Sequence, residues 1–536
     1  MTKQEKLGLL FKSSLVPVSS LSPCSLSPSP PSPPPLLLFS FSLLQRSFVL
    51  VLLSSCRGTS RVGGVPCLPR VPVLGSLPWV SSSGLPPHLL FTGISRRLGP
   101  LFSLFLGPHF TLVVNSYDLA REVLVTRGRD FAGRPNMVTT DLLTRGGKDI
   151  AFCDYSPLWK SHRRLVHTSF TLFGEGTGRL QEIVLSAVDD LVEELLSSRG
   201  RCFDPCAAVT RAVTNVVCTL VFSASYRPED EELQEVIGYN NGIVQTIAAG
   251  ALVDIYPWMK YFPNSSLDKL KRCIRVRDEL LQKKLDQHKA LMSDGDPGDP
   301  RDLLDALLRG QKGERSSAIS DDHVLMTAAE AFGAGVETTS TTLLWIIAYL
   351  LHHPEVQTRA QVELEDRVGL DRPVLVSDRT LLPFVEAVIQ EGLRIRPVSP
   401  VLIPHTAMTQ TSLGGHSVQP GTRVLVNMWA IHHQPQHWDR PDLFKPERFL
   451  DERGERYSPS GFLPFGAGPR VCVGESLARL ELFLFLSSLL QRISFSLPPS
   501  EPAPNLQGAL GVVLQPLPYR VVVTPRPGWG EKHSTN

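Results

Sequence analysis

The chain has 536 residues, enough for a large hydrophobic core, so a small disulfide-stapled module is excluded. Its 54 Lys and Arg residues nearly balance 52 Asp and Glu residues, and no basic stripe with interleaved aromatic residues indicates nucleic-acid binding. Hydrophobic residues make up 42% and charged residues 20%, and the nine scattered cysteines without a C-x-x-C pair fit reduced thiols facing the cytosol better than a zinc ribbon.

The N-terminal part differs in composition from the rest. The first hundred residues hold 15 of the 45 prolines, and residues 13–45 carry no charge. An apolar run over 36–53 is interrupted by Gln45 and Arg46, and a central Arg costs about 2.5–3.5 kcal/mol in a membrane helix. Two interpretations of residues 1–65 stay open: an imperfect membrane anchor, or a disordered low-complexity leader. The Pro-rich stretch 66–84 is predicted to be a hinge.

A regular pattern begins at about residue 85, and we predict one catalytic domain over 85–525 with a polar tail over 526–536. Apolar runs on either side of Gly107-Pro108-His109 predict a hairpin over 102–114. Helical spacing follows over 180–196, 267–292, 323–352 and 384–393, with a loop over 294–300. The third of these helices is about 45 Å long, and the acidic and Thr residues at its middle favour a central core helix over a membrane span. Strands are predicted over 423–428 and 519–523, so the fold class is mainly α with a small β part.

The chemistry is concentrated in a Gly-rich segment, Phe465-Gly-Ala-Gly-Pro-Arg-Val-Cys-Val-Gly474, that precedes an amphipathic helix over 475–492. Glycines let a backbone approach a flat, bulky ligand. Cys472 lies just before the helix N-terminus, where the dipole and free amides favour a thiolate. A thiolate suits a soft metal, and haem iron held by Cys is activated for O–O cleavage.

The spacing of Phe465, Gly468, Arg470, Cys472 and Gly474 resembles the haem-binding loop of the cytochrome P-450 family, and other family signatures follow over about 66–525. The resemblance implies the fold of that family, with haem b between the long central helix and the loop that supplies Cys472 as the axial iron ligand. It also implies which residues contact the haem, mainly at its propionates: Arg134, Trp159, Arg163, His405, Arg470, Phe465 and Gly468. It also implies a structural network of Glu391, Arg394 and Arg448, which we interpret as support for the fold.

The long helix contains Ala334-Gly335-Val336-Glu337-Thr338, which resembles the oxygen-activation motif of the family. Small residues leave room above the iron, and Glu337 and Thr338 are the candidate catalytic residues because they can relay protons. Two other functions are alternatives. A dinucleotide-binding enzyme is disfavoured because both Gly-x-Gly segments lack the third glycine and a strand-turn-helix setting. A haem-carrying, steroid-binding protein without turnover is the second.

Further stretches resemble members of the family that hydroxylate steroids at C17, including residues 131–135, 254–264 and 396–405. The implied reaction is C17 hydroxylation of progesterone or pregnenolone with dioxygen and electrons from a separate NADPH-cytochrome P-450 reductase, at the endoplasmic reticulum membrane with the catalytic domain facing the cytosol. Another steroid or xenobiotic hydroxylase of the family is the alternative. Glu330 departs from the resembled pattern, which often has Asp there.

The same resemblance carries over contacts to the substrate and to a second partner. The steroid A-ring oxygen would meet Asn240 and Arg277, and the apolar pocket would consist of Ala151, Ala334, Val398, Leu402 and Val513. Cytochrome b5, an acidic partner that promotes 17,20-lyase activity, would dock on Arg379, Gln390 and Arg479. Because Gln390 lacks the cationic group of the resembled position, we predict weak lyase activity.

Overall fold

Helices dominate the part of the chain that the computed structural model describes, which is residues 60–172, 178–227, 229–248, 252–292, 299–312, 318–499 and 501–529. The α-helices are α1 Leu77–Ser81, α2 Pro87–Leu98, α3 Tyr117–Arg121, α4 Val138–Leu143, α5 Pro157–Thr171, α6 Arg179–Ser197, α7 Cys206–Phe222, α8 Glu231–Ala248, α9 Leu252–Ile255, α10 Ser265–Leu291, α11 Leu303–Gln311, α12 Asp321–His352, α13 Pro354–Arg367, α14 Pro383–Ile395, α15 Met428–His432 and α16 Glu475–Arg492.

The strands form one larger sheet and three two-stranded ribbons. They are β1 Ser60–Val62, β2 Val65–Cys67, β3 Leu101–Leu106, β4 His109–Val114, β5 His405–Thr406, β6 Thr411–Leu413, β7 His416–Val418, β8 Arg423–Val426, β9 Ile493–Ser496, β10 Ala509–Leu510, β11 Leu514–Gln515 and β12 Val522–Pro525. The larger sheet has the order β1-β2-β3-β4-β8-β5, and the ribbons pair β6 with β7, β9 with β12, and β10 with β11. The described chain is therefore mainly α with a small β part, as predicted.

The strongest periodic segments fold as the sequence predicts. The hairpin is β3 and β4, paired antiparallel from Leu101 opposite Val114 to Leu106 opposite His109. The four predicted helices are α6, α10, α12 and α14, and the helix predicted over 475–492 has these bounds in α16. Most of the predicted loop over 294–300 lies outside the described residues, as do the apolar run over 36–53 and most of the leader.

Helix α12 is the central element of the core. Its N-terminus is closed by reciprocal hydrogen bonds between Ser320 and His323, and nearly every side chain from Thr339 to Leu351 is buried. Within the described residues, α12 alone is long and apolar enough to cross a membrane, but 78% of its apolar window is buried in protein. It is therefore the core helix, because neighbouring helices and not lipid cover its apolar surface.

The Pro-rich stretch 66–84 does not run free of the catalytic domain. It contributes β2, which pairs in parallel with β3 through Cys67 and Ser103, and it contains α1. Proline is tolerated in both places, since Pro66 stands in a short strand near the sheet edge and Pro78 lies in the first turn of α1. Part of this stretch therefore belongs to the larger sheet and part is helical, and its role as a hinge stays a prediction.

Two strand boundaries also differ from the prediction. Strand β8 ends at Val426, because the Asn427 side chain accepts a hydrogen bond from the Ala430 amide and begins α15. Near the C-terminus, β12 covers Val522–Pro525, paired with β9, whereas the prediction was 519–523. A side-chain cap is a local polar contact that the apolar pattern of the strand does not record.

Candidate active site

A cavity of about 360 Å³ lies between α12 and the loop that precedes α16. Its volume falls in the range of sites for small molecules, and its walls are mainly apolar. Cys472 of that loop lines the cavity, and so do Ala334, Gly335 and Thr338 of α12. The structure therefore places the predicted metal ligand and the predicted oxygen-activation residue Thr338 on the same cavity.

The cysteine loop is closed by backbone contacts. The Cys472 amide donates to the Phe465 carbonyl at 3.0 Å, and a short 3-10 helix, Gly468–Arg470, leads into the cysteine. Gly468 has φ +70°, and a Cβ there would lie 1.7 Å from the carbonyl oxygen of Leu124. Any larger residue would push the loop off this neighbour, so the glycine is required by both backbone conformation and space.

The electrostatic setting of Cys472 differs from the sequence-based expectation. The side chain is accessible from the cavity but otherwise surrounded by protein. Burial raises the pKa of the thiol above its ordinary value, and the Gly474 amide and the Arg163 charge only partly oppose this effect. The helix terminus alone therefore does not make a thiolate. A bound metal does, since coordination deprotonates a thiol.

Four cationic or imidazole side chains line one end of the cavity: Arg134, Arg163, His405 and Arg470. Burial, followed by the Arg470 charge, lowers the pKa of Arg134 to about 9. Burial also lowers the pKa of Arg470 to about 10 and that of His405 to about 3. His405 is thus neutral at pH 7, whereas the three arginines are buried cations, called here the cation set. Buried cations call for an anionic ligand, and the two propionates of haem meet that requirement.

The remaining predicted haem residues are Trp159, Phe465 and Gly468, and of these only Phe465 lines the cavity. Trp159 does not line the cavity; its indole is buried, donates to the Ile150 carbonyl at 2.9 Å and stacks under the Arg470 guanidinium at 4.2 Å. Phe465 lines the cavity directly, and Gly468 shapes the loop from outside. Among the described residues, no three His, Cys, Asp or Glu side chains converge as a protein-only metal site. The position of Cys472 on the same cavity as Arg134, Arg163 and Arg470 fits haem held by a single Cys.

Thr338 and Glu337 are neighbours in sequence but have different surroundings. The Thr338 hydroxyl faces the cavity and donates to the Ala334 carbonyl at 2.7 Å. The Glu337 carboxyl instead accepts hydrogen bonds from Asn240 and Gln515, both at 3.2 Å. Burial raises the pKa of Glu337, which favours the protonated acid. The cavity therefore has a hydroxyl at its wall and an acid one residue away.

Four of the five predicted apolar residues, Ala151, Ala334, Val398 and Leu402, line this cavity. The fifth, Val513, is buried at the β10–β11 turn, next to Leu514, whose amide donates to the Val398 carbonyl at 2.8 Å. The two predicted A-ring contacts do not line the cavity.

Asn240 is tied to Glu337, while Arg277 donates to Asp278 at 2.7 Å and contacts the Met326 sulfur at 3.7 Å. Arg277 is buried, and its neighbour Asp278 also accepts from Arg145 of the loop after α4. Asp278 follows Arg277 on the same helix, and Met326 lies 49 residues away. The spacing of residues in the sequence therefore did not predict these two contacts. Both residues would have to leave their present partners to reach a steroid.

The predicted structural network is present as buried contacts. The Arg394 guanidinium donates to Glu391 at 2.6 and 2.8 Å, both side chains are 0% exposed, and Arg448 donates to Glu391 at 3.3 Å. Arg394 also donates to the His432 carbonyl at 2.8 Å, which joins α14 to α15. The network therefore connects α14 to His432 and Arg448, and its three side chains do not line the cavity.

Sequence reasoning missed a second buried acid near the cavity. Glu481 of α16 lines it, and the hydroxyl of Thr339 donates to its carboxyl group. Burial raises the pKa of Glu481 to about 8, and the Thr339 contact only partly opposes this. An acid within an apolar helix run was the available signal, because such a residue is rarely buried without a partner.

Comparisons with known proteins agree with this geometry. The sequence profile of the family described as Cytochrome P450 matches residues 65–523. Proteins named steroid 17-alpha-hydroxylase/17,20 lyase are similar: that of Oryzias latipes is 50% identical over 89% of this chain and 94% of its own length. That of Gallus gallus is 49% identical over 88% of this chain and 93% of its own length.

Solved structures are similar as well. A zebra fish cytochrome P450 with progesterone is 64% identical, with a TM-score of 0.76, and the match covers 82% of this chain and 100% of that one. A zebra fish cytochrome P450 with abiraterone is 62% identical, with a TM-score of 0.73 and the same coverage. These matches confirm the family and the fold class that the sequence predicts.

Proposed function

The chain belongs to the cytochrome P450 family, and from this premise we propose that it is a haem-thiolate monooxygenase that hydroxylates C17 of progesterone or pregnenolone. The observation that carries the proposal is the joint position of Cys472, the cation set and Thr338 around one largely apolar cavity. The names of the similar enzymes and the progesterone in a similar structure support the steroid and the position of attack. Catalysis, rather than haem carriage alone, is supported by the hydroxyl and acid of α12 beside that cavity.

Each residue of the site has its own proposed role in the reaction. Bound haem supplies the activation of dioxygen that inserts oxygen into an unactivated C–H bond, using two electrons from NADPH. Cys472 would hold the iron, and Arg134, Arg163, His405 and Arg470 would bind the carboxylates. Val398 and Leu402 would orient the steroid and exclude water. The Thr338 hydroxyl would hold a proton at the cavity wall, and the Glu337 carboxyl would resupply it once it leaves Asn240.

For the redox partners, we propose a separate NADPH-cytochrome P-450 reductase, with cytochrome b5 as a modulator of lyase activity. The predicted cytochrome b5 surface, formed by Arg379, Gln390 and Arg479, offers less positive charge to a partner than the sequence suggests. Arg379 donates to the buried Glu386 at 2.8 Å, and Arg479 donates to Glu475 at 2.9 Å. Gln390 is half-buried on α14. Internal pairing of both arginines lowers the positive charge offered to an acidic partner, which supports weak lyase activity.

The surface supports the proposed endoplasmic reticulum membrane location. Trp258, Tyr261 and Phe262 are 57%, 80% and 61% exposed, and Val73 is 74% exposed. These residues are contiguous, because Tyr256 contacts the Trp258 ring and its hydroxyl donates to the Val73 carbonyl at 3.0 Å. An exposed patch of large apolar and aromatic residues suits a membrane surface. The seven cysteines within the described residues are free, which fits a catalytic domain facing the reducing cytosol.

The experiment is product analysis by mass spectrometry. Purified enzyme, reductase and NADPH are incubated with progesterone and with pregnenolone, and Cys472→Ser serves as the inactive control. We expect one added oxygen at C17 in at least one of the two steroids. Hydroxylation only at other positions would contradict the assignment at C17, and binding of both steroids without any product would favour the carrier alternative.

A further inference from the structure

The loop formed by residues 149–153, between α4 and α5, connects the long helix to the cation set. Its carbonyl oxygens accept hydrogen bonds from three predicted haem residues. The Ile150 carbonyl accepts from Trp159 at 2.9 Å and from Arg470 at 3.0 Å. The Ala151 carbonyl accepts from Arg134 at 2.7 Å, and the Cys153 carbonyl accepts from Arg470 at 2.8 Å. The loop therefore accepts one of the three hydrogen bonds of Arg134, whose others go to Ile403 and Pro404, and two of the three of Arg470, whose other goes to Ala132.

The amides of the same loop are held by two carboxyl groups. Glu330 Oε2 of α12 accepts from the Ile150 amide at 3.1 Å, and Asp149 Oδ2 accepts from the Phe152 amide at 2.6 Å. The Ala151 amide contacts both acids. The peptide groups of Ile150 thus join Glu330 on one side to Trp159 and Arg470 on the other.

The second oxygen of Asp149 is buried and has no protein partner. Of the two acids, Glu330 belongs to α12 and Asp149 belongs to the loop. The contact of Glu330 with the Ile150 amide therefore joins the loop to α12. Burial and then the nearby Asp149 raise the pKa of Glu330 to about 8, while the amides of Ile150 and Ala151 oppose this. Gln has nearly the same shape as Glu and keeps a carbonyl oxygen that can accept the Ile150 amide, so Glu330→Gln preserves this contact.

We propose that Glu330 is a positioning residue: by accepting the Ile150 amide, its carboxyl group holds the 149–153 loop to α12 and so sets Arg134, Trp159 and Arg470 for the carboxylates of haem. The inference rests on the haem assignment of the proposed function but not on the identity of the steroid. The proposal also explains why Glu and Asp would differ at this position. Asp is shorter by one methylene and would not reach the Ile150 amide from the same backbone.

The test uses hydrogen exchange of the full chain, followed by mass spectrometry of the peptide that contains residues 149–153. In Glu330→Ala and Glu330→Asp, we expect this peptide to exchange about tenfold faster, because a buried amide loses its acceptor. In Glu330→Gln, exchange should stay within about threefold of the parent, since the amide oxygen still accepts. The matched control is Asp321→Asn, because Asp321 lies on α12 like Glu330 but forms an exposed ion pair with Lys289 of α10. This variant should leave the exchange of the peptide unchanged.

A second readout is the rate at which each holoenzyme loses haem to excess apomyoglobin, which should follow the same order of variants. Unchanged exchange and haem loss in Glu330→Asp would overturn the proposal, and so would a Gln variant as impaired as the Ala variant. Glu330→Asp keeps the test decisive if the Ala variant does not fold. Because exchange in the loop is measured without any steroid or electron donor, its result is distinguishable from a failure of the proposed hydroxylation.

Discussion

Asn240 donates a hydrogen bond to the Glu337 carboxyl at 3.2 Å, so a residue predicted to bind substrate and a residue predicted to move protons are partners of each other. The contact joins α8 to α12, and Glu337 also accepts from Gln515 of β11. A steroid oxygen that takes the Asn240 amide would release one of the two partners of Glu337. We therefore predict that substrate binding and release of the Glu337 carboxyl are coupled.

Loss of this contact should show as non-additivity. In a double-mutant cycle of Asn240→Ala and Glu337→Gln, we expect a coupling energy of at least about 0.5 kcal/mol in the dissociation constant of progesterone, because residues in contact do not act independently. Spectral titration of each purified variant measures it. The control pair is Asn240→Ala with Asp321→Asn, whose effects should add. Additive effects in the first cycle would mean that the contact plays no part in steroid binding.

Thr338→Ala should retain haem and steroid but consume more NADPH per steroid hydroxylated. Thr338 lines the cavity, and without its hydroxyl the cavity wall would lack the group that holds a proton for ordered delivery. A decrease in coupling of about tenfold or more is expected from the usual contribution of a positioned proton donor. Ser340→Ala is a matched control, because that hydroxyl makes the same type of bond, to the Val336 carbonyl, at a buried position. Unchanged coupling would show that Thr338 only packs.

Glu391→Ala should prevent accumulation of folded holoenzyme. The variant leaves the Arg394 guanidinium buried beside apolar neighbours, and removing one partner of a buried pair costs about 3–5 kcal/mol. The yield of haem-containing protein after expression is the measurement. The exposed pair between Arg359 and Glu447 provides the comparison, and Glu447→Ala should cost less than about 1 kcal/mol. Normal yield of Glu391→Ala would exclude a stabilising role for the network.

The Glu481 carboxyl should make stability fall as pH rises. Burial raises its pKa to about 8 in the folded chain, above the ordinary value of 4.5, so the folded state binds more protons than the unfolded state between these values. Its contribution is complete below about pH 4.5 and is lost as pH rises through about 8. Glu481→Gln keeps the acceptor for Thr339 and removes the titration. The midpoint of thermal unfolding of this variant, relative to the parent, should therefore increase between pH 5 and pH 9. A constant difference would contradict the assignment.

Gln390→Arg should raise 17,20-lyase product selectively and only in the presence of cytochrome b5. The other two members of the predicted cluster are arginines already paired with Glu386 and Glu475, so a new cation adds charge that the surface lacks. Assays with 17-hydroxypregnenolone, with and without b5, measure the effect, and Gln390→Leu controls for packing on α14. Strong lyase activity in the parent would rule out the prediction.

Much of the architecture is encoded locally and could be predicted from the sequence. Helix α16 has its predicted bounds, and α12 begins two residues before the prediction. The predicted amphipathic character of α16 is wrong, because every side chain from Leu480 to Arg492 is buried. The position of Cys472 before α16 follows from the glycines around it.

What the sequence does not reveal is which polar groups meet across long separations. The contact of Glu330 with the Ile150 amide spans 180 residues, and that of Asn240 with Glu337 spans 97. Such partners are chosen by packing of helices and loops, and a single sequence records no trace of them. The pKa of Cys472 is a similar case, since burial opposes the helix terminus.

The central claim is that Cys472 holds haem iron in the cavity under α12, and the difference spectrum of the reduced, carbon monoxide-treated protein tests it most directly. We predict the long-wavelength band of thiolate-ligated haem in the parent and in Cys153→Ser, which removes another cysteine near the cation set. Cys472→Ser should lose the band, since a serine hydroxyl is a poor haem ligand at neutral pH. A Cys472→Ser protein that keeps the band of the parent would contradict the account.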